Sequence, residues 1–285
     1  MSGNIKGRIF IVGCPRTGTT LLQSLLAAHP QIASFPESHF FESLAPANPL
    51  IRSLGVGLAS GQRSKKRFKH FLSIIDREEM EEYLPSFPLF MNQYASAFVK
   101  VLDRLTEEQD KSLWIEKTPG HLRQIELIEK LVKEAKFLHI VRNGADSVAS
   151  LYQVSQKHSQ WGGAKDIDEC IRRWREDVEI TLNYLPKANH ALVRYEELVA
   201  NTKEAIADVC QFLNVPFEAV MLQEYGNAAQ KVVRKDESWK ASVGEPIQNA
   251  NGRKFNQLFD EKQREYILEQ ISKIDIEKLS ESSRN

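Results

Sequence analysis

What this 285-residue chain lacks narrows its class before any motif is read. Its three cysteines, Cys14, Cys170 and Cys210, are odd in number and far apart. None falls in a CxxC spacing, so neither a disulfide framework nor a zinc site is indicated. They read as reduced, mostly buried thiols. The 38 basic residues cancel the 38 acidic ones, so no global field draws the protein to nucleic acid or an anionic membrane. Any anion it binds must be held locally. No apolar run approaches membrane-spanning length, and the polar start at Met1 leads into only a short apolar stretch, unlike a signal peptide. A soluble, cytoplasmic protein is expected. The seven histidines show no metal-ligand spacing, and there is no internal repeat or low-complexity tract.

What is present is ordinary globular material, 42% hydrophobic and 27% charged, enough for the core of one α/β domain spanning the whole chain. Arg8 to Gly13 (RIFIVG) is a β-branched and aromatic run ending in glycine, and Thr17 to Ala28 then carries leucines at helical spacing. The pair predicts a strand, a tight loop and a helix. Ile32 to Phe35, Leu113 to Lys117, Lys136 to Val141 and Ala191 to Tyr195 read as further strands, alternating with helical stretches after residue 113. That order predicts a central parallel sheet with helices on both faces, built by right-handed βαβ units. A polar, Pro-punctuated, mostly helical insertion at about 43–110 interrupts it. Its aromatics Phe68, Phe71, Phe87, Phe90, Tyr94 and Phe98 suit a cap over an apolar or aromatic acceptor, and its basic run Arg63, Lys65, Lys66, Arg67 and Lys69 an anionic one.

Gly13-Cys14-Pro15-Arg16-Thr17-Gly18-Thr19-Thr20 places two glycines at phosphate-loop spacing between that first strand and helix, where backbone N–H groups cradle an anion. The lysine that reaches the β- and γ-phosphates in nucleoside triphosphatases is replaced by Thr19, so a magnesium triphosphate is a poor ligand. Arg16 restores a positive charge inside the loop.

In these residues the chain resembles the sulfotransferase family that uses 3′-phosphoadenosine 5′-phosphosulfate. GCPRTGTT is similar to the family's 5′-phosphosulfate loop, and Arg142 and Ser150 in FLHIVRNGADSVASLY to its 3′-phosphate signature. The resemblance implies donor contacts from Pro15, Arg16, Thr17, Gly18, Thr19 and Thr20, with Arg142 and Ser150 on the 3′-phosphate and Tyr195 of RYEEL near the nucleotide. It also implies a closing loop, in which Ser238 to Ser242 and the Gly252-Arg253-Lys254 turn take part. Arg16 and Leu21 stand where cytosolic members often carry lysine and tryptophan, so the chain looks closer to bacterial and Golgi-type branches.

Sulfonate transfer proceeds in line through a loose transition state, so the protein must orient two oxygens and compensate charge on the leaving phosphate. Arg16 and the loop amides suit that task without a metal, and Lys117 suits charge compensation at the bridging oxygen or a structural ion pair with Glu37 or Glu116. The acceptor hydroxyl, or less favourably amine, of a small or lipid-like molecule needs a base. Glu37, after the second strand, and His121, after the third, are the two candidates, with Glu37 preferred. The competing readings are a P-loop small-molecule kinase, opposed by Thr19 and the Arg142/Ser150 pair, and a nucleotide-binding protein without turnover.

Overall fold

The computed structural model describes residues 5–46, 57–158, 161–232, 244–247 and 251–274. Among these, β1 (Gly7–Gly13), β2 (Ile32–Ser34), β3 (Leu113–Lys117), β4 (Ala135–Val141) and β5 (His190–Arg194) form one parallel sheet in the order β2-β3-β1-β4-β5. β1 occupies the centre because both its faces are apolar. Ile9 and Ile11 face one way and Phe10 and Val12 the other, all four fully buried, as a strand covered on both sides requires.

On the Ile9 face pack α1 (Thr19–Ala27), α8 (Thr202–Leu213) and α9 (Val220–Val232), through Leu22, Leu26, Val209 and Met221. α7 (Tyr195–Ala200) links β5 to α8. The opposite face carries two clusters. One, around Val148, Trp174 and Ile267, joins α5 (Gly144–Lys157), α6 (Ile167–Tyr184), α10 (Arg253–Leu258) and α11 (Glu261–Ile271). The other receives α2 (Gly61–Ile74) and α3 (Met91–Glu107), the two long helices of the insertion, together with α4 (Ile125–Leu131).

Four of the insertion's aromatics belong to the core. Phe68, Phe71, Tyr94 and Phe98 are buried in the same cluster as Phe10 and Trp114, with Phe98 stacked on Phe40 at 4.2 Å between centroids. Amphipathic helices this apolar on one side gain more from the open face of the sheet than from an exposed lid. Of the six aromatics expected over an acceptor, only Phe87 and Phe90 are exposed. No helix among the described residues is long and apolar enough to cross a membrane.

Because all five strands run parallel, their C-terminal ends share one edge, where open α/β sheets collect ligands. The segments that leave this edge carry Arg16, Glu37, His121, Arg142 and Tyr195, and Lys117 ends β3 there.

Candidate active site

The loop after β1 bends through two left-handed residues, Arg16 at φ 74° and Gly18 at φ 99°. Gly18 is dictated by its neighbour as well as its backbone, since a Cβ there would lie 2.4 Å from the Tyr195 ring. Thr17, fully buried, donates from Oγ1 to Cys14 O at 2.7 Å and to Ile140 O at 3.2 Å, tying the loop to β4. The first turn of α1 has no side-chain cap and no acidic residue, leaving its amides and macrodipole available to an anion. The Cys14 thiol is buried beneath the loop and pushed well up by that burial and then by Asp177, which makes it inert.

Arg142 leaves β4 beside this loop. Its guanidinium lies 4.4 Å from the centroid of the Tyr195 ring, and Nη2 donates to Asn251 Oδ1 at 2.8 Å with Asp146 Oδ2 at 3.6 Å. Its Nε is buried with no partner. An orphaned charged donor of this kind is costly unless a ligand accepts from it. Arg16 Nε donates to Ser150 Oγ at 3.4 Å, so the two anion positions that the family resemblance implies adjoin one another. Burial and then the charge of Arg142, partly offset by Glu37, lower Arg16 to about 10. Lys254, on α10, is an exposed residue whose ammonium is lowered by partial desolvation and then by Arg16, Arg142 and Lys157. Three cations thus repel one another around the loop, and a multiply charged anion fits there.

Arg253 is exposed at the start of α10 and makes no contact with this group among those described. Residues 238–242, the other part of the expected closing loop, lie outside the described residues.

The second half of the site is built on β3. Its alternation sends Lys117 to the α1 face and Glu116 to the opposite one. Lys117, almost fully buried, pairs with Glu37 Oε1 and donates to Thr20 Oγ1 at 3.3 Å, so its partner is Glu37 and not the adjacent Glu116. Glu116, at 0% exposure, accepts at Oε1 from Ser38 N, Ser38 Oγ and Thr118 Oγ1, and at Oε2 from His121 Nδ1 at 2.8 Å. Burial pushes its carboxyl up, yet His121 and the hydrogen bonds from His121, Ser38 and Thr118 outweigh burial and hold it below the ordinary range.

His121 is also at 0% exposure. Phe41 N donates to its Nε2 at 3.2 Å, which fixes the Nδ1–H tautomer facing Glu116. Both ring nitrogens are consumed inside the protein. Glu37 is partly open, and its second oxygen lies 3.3 Å from Nε2 of His39, a residue not singled out by sequence. The signal for His39 was the ESHFFE spacing, with acidic residues two before and three after the histidine.

The fold and this group of side chains define the class, an α/β protein with clustered cations and a partly open carboxylate at the C-terminal edge of its parallel sheet. Residues 8–219 match the Sulfotransferase family, and the chain belongs to it. Protein-tyrosine sulfotransferase 1 of Danio rerio is 25% identical over 218 residues, 75% of this chain and 55% of its own length. Protein-tyrosine sulfotransferase of Drosophila melanogaster is 26% identical over 218 residues, 75% of this chain and 39% of its own. The chain spans about half or less of these relatives. In fold it is similar to the sulfotransferase domain of the Synechococcus PCC 7002 olefin synthase (TM-score 0.60, 19% identity, 96% of each chain covered). It is also similar to mouse sulfotransferase SULT7A1 complexed with PAP (TM-score 0.54, 13% identity, 97% and 89% covered). None of these lends support to the kinase alternative.

Proposed function

We propose that the protein transfers a sulfonate group from 3′-phosphoadenosine 5′-phosphosulfate to a hydroxyl, or less favourably an amine, of a small or lipid-like acceptor. The single observation that carries this reading is the buried, unpartnered Nε of Arg142 beside Arg16 and Lys254, a cationic cluster with the charge for two anionic groups. A tyrosine hydroxyl, the acceptor named in the matched relatives, belongs to the same chemical class.

In this mechanism Arg16 and the amides at the start of α1 hold the phosphosulfate, and Arg142, braced by Tyr195, holds the 3′-phosphate with Ser150 and Lys254 alongside. Pro15, Thr17, Thr19 and Thr20 shape the loop. The acceptor oxygen forms its bond to sulfur as the bond from sulfur to the phosphate oxygen breaks. The acceptor's proton passes to the Glu37 carboxylate, and Lys117 and Arg16 compensate the charge left on the bisphosphate. Side-chain cations supply the compensation, so no divalent ion is required. Glu37 is preferred over His121 as base because its carboxylate is partly open, whereas the imidazole is enclosed. Three buried thiols suit a reducing, intracellular setting.

Thermal shift tests the pocket. Adenosine 3′,5′-bisphosphate at a hundredfold excess over its Kd stabilises by about 2.7 kcal/mol, and adenosine 5′-phosphosulfate and magnesium ATP by much less. Equal stabilisation by a nucleotide lacking the 3′-phosphate refutes the assignment. Bisphosphate release from the sulfated donor on adding an alcohol separates an enzyme from a silent binder, and Glu37→Gln is expected to lose turnover while keeping donor affinity.

A further inference from the structure

Taking Glu37 as the base, we propose that His39, clamped from behind by Glu42, is a positioning residue that fixes the Glu37 carboxylate for attack. Four residues form the device. Lys117 grips Glu37 Oε1 from β3, and His39 Nε2 meets Oε2 at 3.3 Å, so cations from two separate segments take the two oxygens. The opposite ring nitrogen, Nδ1, meets Glu42 Oε2 at 2.9 Å. A carboxylate, an imidazole and a second carboxylate in series follow the general pattern in which a third group orients the second.

Two features of the backbone serve this series. His39 adopts φ 51°, an uncommon conformation for a residue with a side chain, and its N–H donates to Thr118 Oγ1 at 3.2 Å. The turn keeps its ring between Glu37 and Glu42. Gly120 lies against the far end of the series, where a Cβ would sit 1.8 Å from Glu42 Oε1 and the carboxylate would have to move from its present seat. Side-chain exposure rises outward, from 2% at Lys117 and 14% at Glu37 to 39% at His39 and 36% at Glu42. The clamp is therefore reached by solvent from the His39 side.

The charged groups that bear on it are Glu37 and Glu42 directly, Lys117 and Arg16 through Glu37, and Glu116 and His121 through Glu42. Burial alone would lower the imidazole, but the hydrogen bonds and charges of Glu37 and Glu42 outweigh it and raise His39 to about 9. It is a cation across the neutral range. Above about 9 the series loses a positive charge, and the hold on Glu37 Oε2 weakens.

The test uses the full chain with 2-naphthol as acceptor probe and, separately, a carbon-detected NMR titration of the histidine rings. His39→Gln is expected to reduce kcat about 10- to 100-fold, the scale of a misplaced reacting group, with the donor KM unchanged and the alkaline limb of the pH profile removed. In the titration His39 is expected near 9, falling towards the ordinary value of about 6.5 in Glu42→Gln. A His39→Gln variant with native kcat and an intact alkaline limb overturns the proposal. So does a His39 midpoint that Glu42→Gln leaves in place, and this arm needs no acceptor. Retained turnover in Glu37→Gln instead overturns the base assignment, so the two failures are distinguishable.

Discussion

Glu116→Gln is the substitution whose cost follows most directly from the geometry. The native carboxylate accepts four hydrogen bonds, from Ser38 N at 3.1 Å, Ser38 Oγ and Thr118 Oγ1 at 2.7 Å each, and His121 Nδ1 at 2.8 Å. Glutamine must place an NH2 group at one of the two oxygens. At the Oε2 position it faces the Nδ1–H of His121; the ring must then switch tautomer, and Phe41 N–H loses its acceptor. At the Oε1 position it confronts the donors from Ser38 and Thr118. In either orientation at least one buried donor is stranded, at about 1–3 kcal/mol.

Losing the charge from the remaining bonds adds to this, for a total of about 3–5 kcal/mol, the scale of breaking a buried ion pair. At roughly 2 °C per kcal/mol for a chain of this size, the melting temperature falls by about 6–10 °C. The sign with pH also follows. A carboxyl held below its ordinary pKa contributes stability above that value and loses it as pH falls, so the gap between variant and native protein narrows in acid. Thermal denaturation at neutral pH and near pH 4 measures both effects. A fall of less than about 2 °C, or a gap that widens in acid, refutes the hydrogen-bonded chain from Glu116 through His121 to Phe41.

Two further outcomes concern the donor. Arg142→Lys keeps the charge but removes the Nε donor and the planar stack on Tyr195, so calorimetry should show preference for the 3′-phosphorylated nucleotide falling about tenfold or more. Gly18→Ala sets a methyl group 2.4 Å from the Tyr195 ring at φ 99°, a strain of about 1–3 kcal/mol. Displacing Tyr195 also unbraces Arg142, so donor affinity should fall while acceptor-independent properties change little beyond that stability loss.

Arg16 and Arg142 stand 126 residues apart in the chain, yet the charge of Arg142 helps to lower the Arg16 guanidinium. The parallel sheet is what brings them together: β1 and β4 are neighbours, and both release their loops at the same edge. Their repulsion is sustained by a rigid scaffold, which places positive charge where an anion is to arrive and reduces the reorganisation needed on binding.

Sequence alone determined the parts of this protein that depend on short-range chemistry. The strand, glycine turn and leucine-rich helix from residue 7 to 27 and the missing loop lysine at Thr19 follow from periodicity and residue type within a few turns of chain, whereas Arg142 and Ser150 stood out only through the family resemblance. Leu113–Lys117 has the bounds that its pattern predicts. The tertiary structure decided what depends on which distant groups meet. It turned four of the insertion's aromatics into core, on a face of the sheet they cover, and enclosed His121 between Glu116 and Phe41. It also set His39 and Glu42 behind Glu37 through a left-handed turn and the bare Cα of Gly120. A histidine's role is set by the partners of its two nitrogens, and those partners arrive from separate segments that no local pattern links.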